Sequence, residues 1–97
     1  MPTYIAGPMT GLPDFNFPAF DAVAAELRAH GTEVVNPADN GAEGTDKPWA
    51  HYMRLGLIGL LECDAIVLLP GWENSRGARL ERHVAEQLGM AVSEWPA

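Results

Sequence analysis

The stretch LLPGWENSRGARLE, residues 68–81, decides the fold of this 97-residue chain. Residues 66–69, IVLL, form a fully apolar run of the kind found in a parallel strand covered on both faces. Pro70-Gly71 stops the run, and Asn74-Ser75 is placed to cap a helix that opens at Arg76. Around Ser75, Arg76 and Gly77 the first N–H groups of that helix have no intrahelical acceptor. Such an end attracts anions, phosphate above all. Glu81 follows six residues after Ser75, within the first two turns and near the same mouth. A phosphate cradle with a carboxylate beside it suits a nucleotide.

The segments on either side fall into the same rhythm. Residues 3–6 are a β-prone start ended by GPMTG, where two glycines let backbone N–H groups approach a ligand closely. Asn16 is a candidate cap and Pro18 suits a first helical turn. Phe20, Val23, Ala24 and Leu27 then recur as the stripe of a helix lying on a sheet, and Gly31 closes it. Residues 32–36 make a second strand around Val34-Val35, broken by Asn36-Pro37. The loop NPADNGAEGTDK, 36–47, is longer than the usual connection and reads as a lid or a mobile link. Its acids lack the alternation of a calcium loop, so no metal is expected.

Residues 48–62 form the next helix, with Trp49, Tyr52, Met53, Leu57, Leu60 and Leu61 on its apolar side and Ile58 broadening it. Gly56 and Gly59 in its middle imply close packing, within the chain or across a subunit boundary. A last helix, 76–88, is expected to bury Leu80, Val84, Ala85 and Leu88, and residues 90–95 form a fourth strand. The order β-α-β-α-β-α-β predicts an α/β chain with a four-stranded parallel sheet and helices on both faces. That is a single-domain, three-layer sandwich of the Rossmann-like or flavodoxin-like type spanning 1–97. In such sheets ligands bind beyond the carboxyl ends of the strands.

A net charge of −7 argues against a nucleic-acid polymer as partner. Yet Arg76, Arg79 and Arg82 lie within one helical stretch, either pairing with Glu86 and other acids or setting a local positive field for a phosphorylated ligand. The lone Cys63 excludes an internal disulfide and reads as a packed thiol in a reducing compartment. No apolar run is long enough for a membrane span, so a cytoplasmic protein without membrane partners is expected. His30 and His51 read as surface residues.

Three segments carry a resemblance: YIAGPMTGLPDFNFPAF at 4–20, ECDAIVLLPGWENSRGARLE at 62–81, and the HVAEQLGM that follows. They resemble the nucleoside 2-deoxyribosyltransferase-like superfamily, its small bacterial and phage branch in particular. The most specific part is the S-x-G-x-x-x-E spacing after the third strand. The resemblance implies that Glu81 attacks the anomeric carbon of a deoxynucleoside or deoxynucleotide and displaces the base. It implies that Ser75 and Gly77 hold the 5′-phosphate, with Gly7, Pro8 and Met9 lining the sugar and base pocket. Arg76 or Arg79 would supply positive charge. No cofactor is implied.

Two positions depart from that pattern. The superfamily places an aspartate eight residues before Asp64, where this chain has Gly56, leaving Glu73, Asp39 or Asp14 to act from a loop. A first-strand tyrosine of the transferases aligns with Ile5 instead of Tyr4. The expected activity is N-glycosidic cleavage of a nucleoside 5′-monophosphate, with a nucleotide or nucleoside as small-molecule partner. A non-catalytic module that sequesters a nucleotide, and an assembly domain that retains only the fold, stand beside it. The Gly56–Gly59 strip, with Trp49, Tyr52 and Met53 nearby, further predicts a homodimer or higher homo-oligomer packed through that helix.

Overall fold

Four parallel strands lie in the order β2-β1-β3-β4. They are β1 (Thr3–Ala6), β2 (Val34–Val35), β3 (Ala65–Leu68) and β4 (Ala91–Glu94). Between them run α1 (Phe17–Ala29), α2 (Trp49–Leu61) and α3 (Arg76–Gln87). The computed structural model describes residues 2–39 and 47–96. Most of the 36–47 loop read as a lid, residues 40–46, therefore lies outside the described residues.

Right-handed crossovers dictate the layers. The step from β1 to β2 runs one way along the sheet, and the steps to β3 and β4 run the other way. Hence α1 covers one face while α2 and α3 share the opposite face. The two cores follow from this. Ile5, Leu69, Phe20, Val23 and Ala24 pack on the α1 side, whereas Tyr4, Ile66, Leu68, Leu60, Ala78 and Ala85 pack under α2 and α3. Successive residues of β1 thus enter different cores, as the twofold period of a strand requires. This is the Rossmann-like, flavodoxin-like sandwich that the sequence pattern predicts. The strand order reverses between β1 and β3, which makes the crevice above their carboxyl ends the place for a ligand.

Helix faces differ from the sequence expectation. In α3 the buried stripe is Ala78, Glu81 and Ala85, while Leu88 is 58% exposed and Leu80 is also exposed. A carboxylate stands where an apolar side chain would normally face the sheet, flanked by alanines that let the helix come close. In α2 the inward residues are Met53, Gly56 and Leu60, and Ile58 and Leu61 point outward, at 58% and 61% exposure.

The glycine strip of α2 is turned toward the chain's own sheet. A Cβ on Gly59 would lie 2.9 Å from Cγ1 of Val35, and one on Gly56 would meet Tyr4 and Glu81. It is therefore not a surface for a second helix, and Trp49, Tyr52 and Met53 line a cleft instead of an outer face. Cys63 is buried, with its Sγ donating to the Gly59 carbonyl at 3.3 Å. Burial first, then the neighbouring Glu62 and Asp64 carboxylates, push its thiol up to about 11, which suits packing and not reactivity. Among the described residues no helix is long and apolar enough to cross a membrane.

Candidate functional site

A cleft of about 680 Å³ opens at the switch between β1 and β3. Its walls are the loop after β1 and the starts of α2 and α3. Gly7, Pro8, Met9, Ser75, Arg76, Gly77 and Glu81, seven residues singled out in the sequence, all line it. Arg79 does not: it is exposed and outside the lining. The three arginines of α3 diverge because a spacing of three steps them progressively around the helix. Arg76 stacks over the Trp49 ring at 3.7 Å, and Arg82 sits over Trp72 and pairs with Glu86 at 2.8 Å.

The start of α3 is built as its sequence predicts. Ser75 is the N-cap, with extended backbone, and its Oγ accepts from the Ala78 N–H at 3.2 Å. The N–H groups of Arg76 and Gly77 precede the first intrahelical acceptors and point out of the helix end. Gly77 faces α2, where a Cβ would make ordinary contact with Met53 Sδ at 3.4 Å. Upstream, Gly71 holds φ at +88°, the left-handed turn that brings the chain off β3. Across the crevice, Gly7 is indispensable because a Cβ there would lie 2.7 Å from Leu69 Cβ.

Glu81 forms the floor, 7% exposed. The Tyr4 hydroxyl, from the centre of β1, donates to its Oε2. Burial pushes the Glu81 carboxyl from 4.5 up to about 7, against a lesser lowering by the Tyr4 hydrogen bond. Burial, then the Glu81 charge and hydrogen bond, hold the Tyr4 hydroxyl well above its ordinary range. The pair therefore titrates on the carboxyl. Near neutrality Glu81 exists in both forms, as a poised nucleophile or proton carrier does.

Tyr4 is the residue sequence reasoning missed. The tyrosine of the resemblance was aligned with Ile5, but Ile5 packs on the α1 face, and Tyr4 reaches Glu81. Gly56 packs closely within the chain, one of the two alternatives its sequence position left open. It leaves no room for an acid: a Cβ would fall 2.8 Å from Glu81 Oε2 and 2.9 Å from the Tyr4 hydroxyl. The carboxyl and the phenol occupy the space that a side chain from α2 would need. None of Asp14, Asp39 and Glu73 lines the cleft, and Glu81 is the one acid among its described lining residues.

The loop after β1 has an unusual backbone. Asp14, Phe15 and Asn16 hold φ at 50°, 52° and 61°, left-handed values that cost about 1–2 kcal/mol each. Asn16 does not cap α1 through its side chain. Its Nδ2 donates instead to the Pro8 carbonyl at 3.0 Å, clasping the loop on itself. The turn presents Phe15 to the cleft beside Phe17, ring centroids 5.9 Å apart. At the other rim, Lys47 N–H donates to the Tyr52 hydroxyl at 3.1 Å. Among the described residues no cluster of His, Cys, Asp or Glu is arranged to hold a metal ion.

A family described as Domain of unknown function (DUF4406) matches residues 1–94, and the chain belongs to it. No curated protein matches the chain.

Proposed function

We propose that this member of the DUF4406 family binds a nucleoside 5′-monophosphate and cleaves its N-glycosidic bond, with Glu81 as nucleophile. The observation that carries the reading is a buried carboxylate on the floor of a cleft, one turn below a helix start that suits phosphate. Gly77 and Glu81 are four residues apart, about 6 Å of helix axis, so a phosphate at the first and the sugar's C1′ at the second fit one ribosyl phosphate. Charge supports it: the chain has 13 acids and 6 lysines and arginines, yet the described lining holds two cations, Lys47 and Arg76, against Glu81.

In the reaction, Glu81 as carboxylate would attack C1′ and stabilise the positive charge that develops on the sugar. Tyr4 holds the attacking group in place and favours its ionised form. Ser75, Gly77 and Arg76 anchor the phosphate. Incubation with a panel of nucleoside monophosphates, followed by chromatography for free base, tests this.

A second reading has its own observation. Gly56 removes the leaving-group acid of the resemblance, and Glu81 fills the space. A module that only sequesters a nucleotide needs the cradle and not that acid. In that case ligand raises Tm while no base appears.

A further inference from the structure

We propose that the ligand is a zwitterion: an N-ribosyl phosphate whose heteroaromatic ring carries a positive charge on the nitrogen bound to C1′. The inference deepens the nucleotide reading above and rests on it. Its basis is the split character of the cleft. One end offers the start of α3 and Arg76, which suit an anion. The rest offers Phe15, Phe17 and Tyr52 above a floor made by Glu81. Aromatic faces beside the Glu81 carboxyl attract a cation. The protein shows this affinity within itself, because the Trp49 face already holds the Arg76 guanidinium at 3.7 Å.

Leaving-group chemistry points the same way. A neutral base departs with an electron pair and needs a proton in the transition state. Gly56 bars a side chain from α2, and Glu81 is the one acid among the described lining residues. It cannot be the attacking carboxylate and the proton donor in the same step. A cationic ring needs no donor. Glu81 Oε bonds to C1′ as the C1′–N bond breaks. The bonding pair passes to the ring nitrogen and cancels its charge, so the base leaves neutral. Water then attacks C1′ of the glycosyl ester, which returns Glu81 as carboxylate and yields the sugar phosphate and one proton to solvent. The cation also favours the ionised form of the Glu81 carboxyl, which burial otherwise raises to about 7, so binding would prepare the nucleophile.

The test uses two pairs of probes that differ chiefly in ring charge. Nicotinamide mononucleotide is paired with its reduced form, and N7-methylguanosine 5′-monophosphate with guanosine 5′-monophosphate. Base release is followed by chromatography and affinity by calorimetry. The expected result is release at least about tenfold faster from the cationic member of each pair, a difference of about 1.4 kcal/mol in barrier. Equal or faster release from the neutral members overturns the charge inference and leaves the glycosidase reading standing. No release from any probe, with the cationic members bound about tenfold tighter, keeps the ligand class and removes the glycosidase. No release with equal affinities overturns the inference. In binding, Glu81→Gln should erase the cationic preference; a preference that persists unchanged in that variant counts against it.

Discussion

The Tyr4 hydroxyl donates a hydrogen bond to Oε2 of Glu81, joining the first strand to a helix 77 positions later in the chain. Tyr4 is fully buried and Glu81 nearly so, which makes this a polar contact between two core-facing positions. Burying a carboxyl there costs stability that an apolar residue would not.

Glu81→Gln should therefore stabilise the fold in a pH-dependent way. With its carboxyl raised from 4.5 to about 7, the folded state holds the proton over that interval while the unfolded chain has released it. Stability contributed by the protonated form is fully present below about pH 4.5 and is lost as pH rises through about 7. The loss is on the order of 3 kcal/mol. Glutamine, uncharged and still able to accept from Tyr4, should raise Tm by several degrees at pH 8 and change it little at pH 4. Thermal unfolding at both values checks this; an equal shift at both would refute the buried-acid account.

Tyr4→Phe should move the pH dependence of the reaction. The hydroxyl lowers the Glu81 pKa, so its removal raises it further, and the rising acid-side limb on which the carboxylate forms shifts to higher pH. A hydrogen bond to a charged group is worth about 1.5–3 kcal/mol, or roughly 1–2 pH units. A purely structural Tyr4 would lower the rate or stability without moving the inflection. Rate against pH for both proteins distinguishes the two.

How far the site could be read in the sequence depended on what each residue type signals. The S-x-G-x-x-x-E spacing points to Ser75, Gly77 and Glu81, and the three line one cleft, because capping and helical periodicity are local. Tyr4 was missed for the opposite reason. A four-residue strand covered on both faces has no polar side to show which residue meets which core. In α3, Leu80 and Leu88 suggested a face that tertiary packing left exposed, since two small alanines let Glu81 turn inward. The left-handed run at 14–16 has only the tolerance of Asp and Asn as a cue, and Phe15 offers none. The strand–helix alternation was legible throughout because connections between adjacent parallel strands permit few topologies.

Gly56→Ala should destabilise the protein although alanine favours a helix by about 1 kcal/mol. The new Cβ would press on Glu81 Oε2 and the Tyr4 hydroxyl at 2.8 and 2.9 Å, and overpacking of this kind costs about 1–3 kcal/mol. Gly56→Asp should do worse and should not raise base release, contrary to what the superfamily pattern would imply. Urea unfolding with a parallel release assay settles the sign; a stable and more active Gly56→Asp would show that Glu81 can yield the space.

Nucleoside monophosphates should bind more tightly than the matching nucleosides by about 1.5–3 kcal/mol, the value of hydrogen bonds to a charged group. Arg76→Ala should narrow that gap while leaving nucleoside affinity nearly unchanged. Calorimetry on the two ligand sets reads both quantities, and identical affinities for nucleotide and nucleoside would reduce the α3 start to a turn.

Glu81 is proposed to carry out glycosidic cleavage in this cleft. That proposal is tested most directly by comparing the protein with its Glu81→Gln variant on a panel of neutral and cationic nucleoside 5′-monophosphates, quantifying free base and sugar phosphate by chromatography. Base and sugar phosphate are expected in equal amounts from at least one nucleotide, with release lowered at least about a thousandfold by the substitution, about 4 kcal/mol of barrier, and the nucleotide still bound. Equal release from both proteins, or a nucleotide that binds and is never cleaved by either, would contradict it.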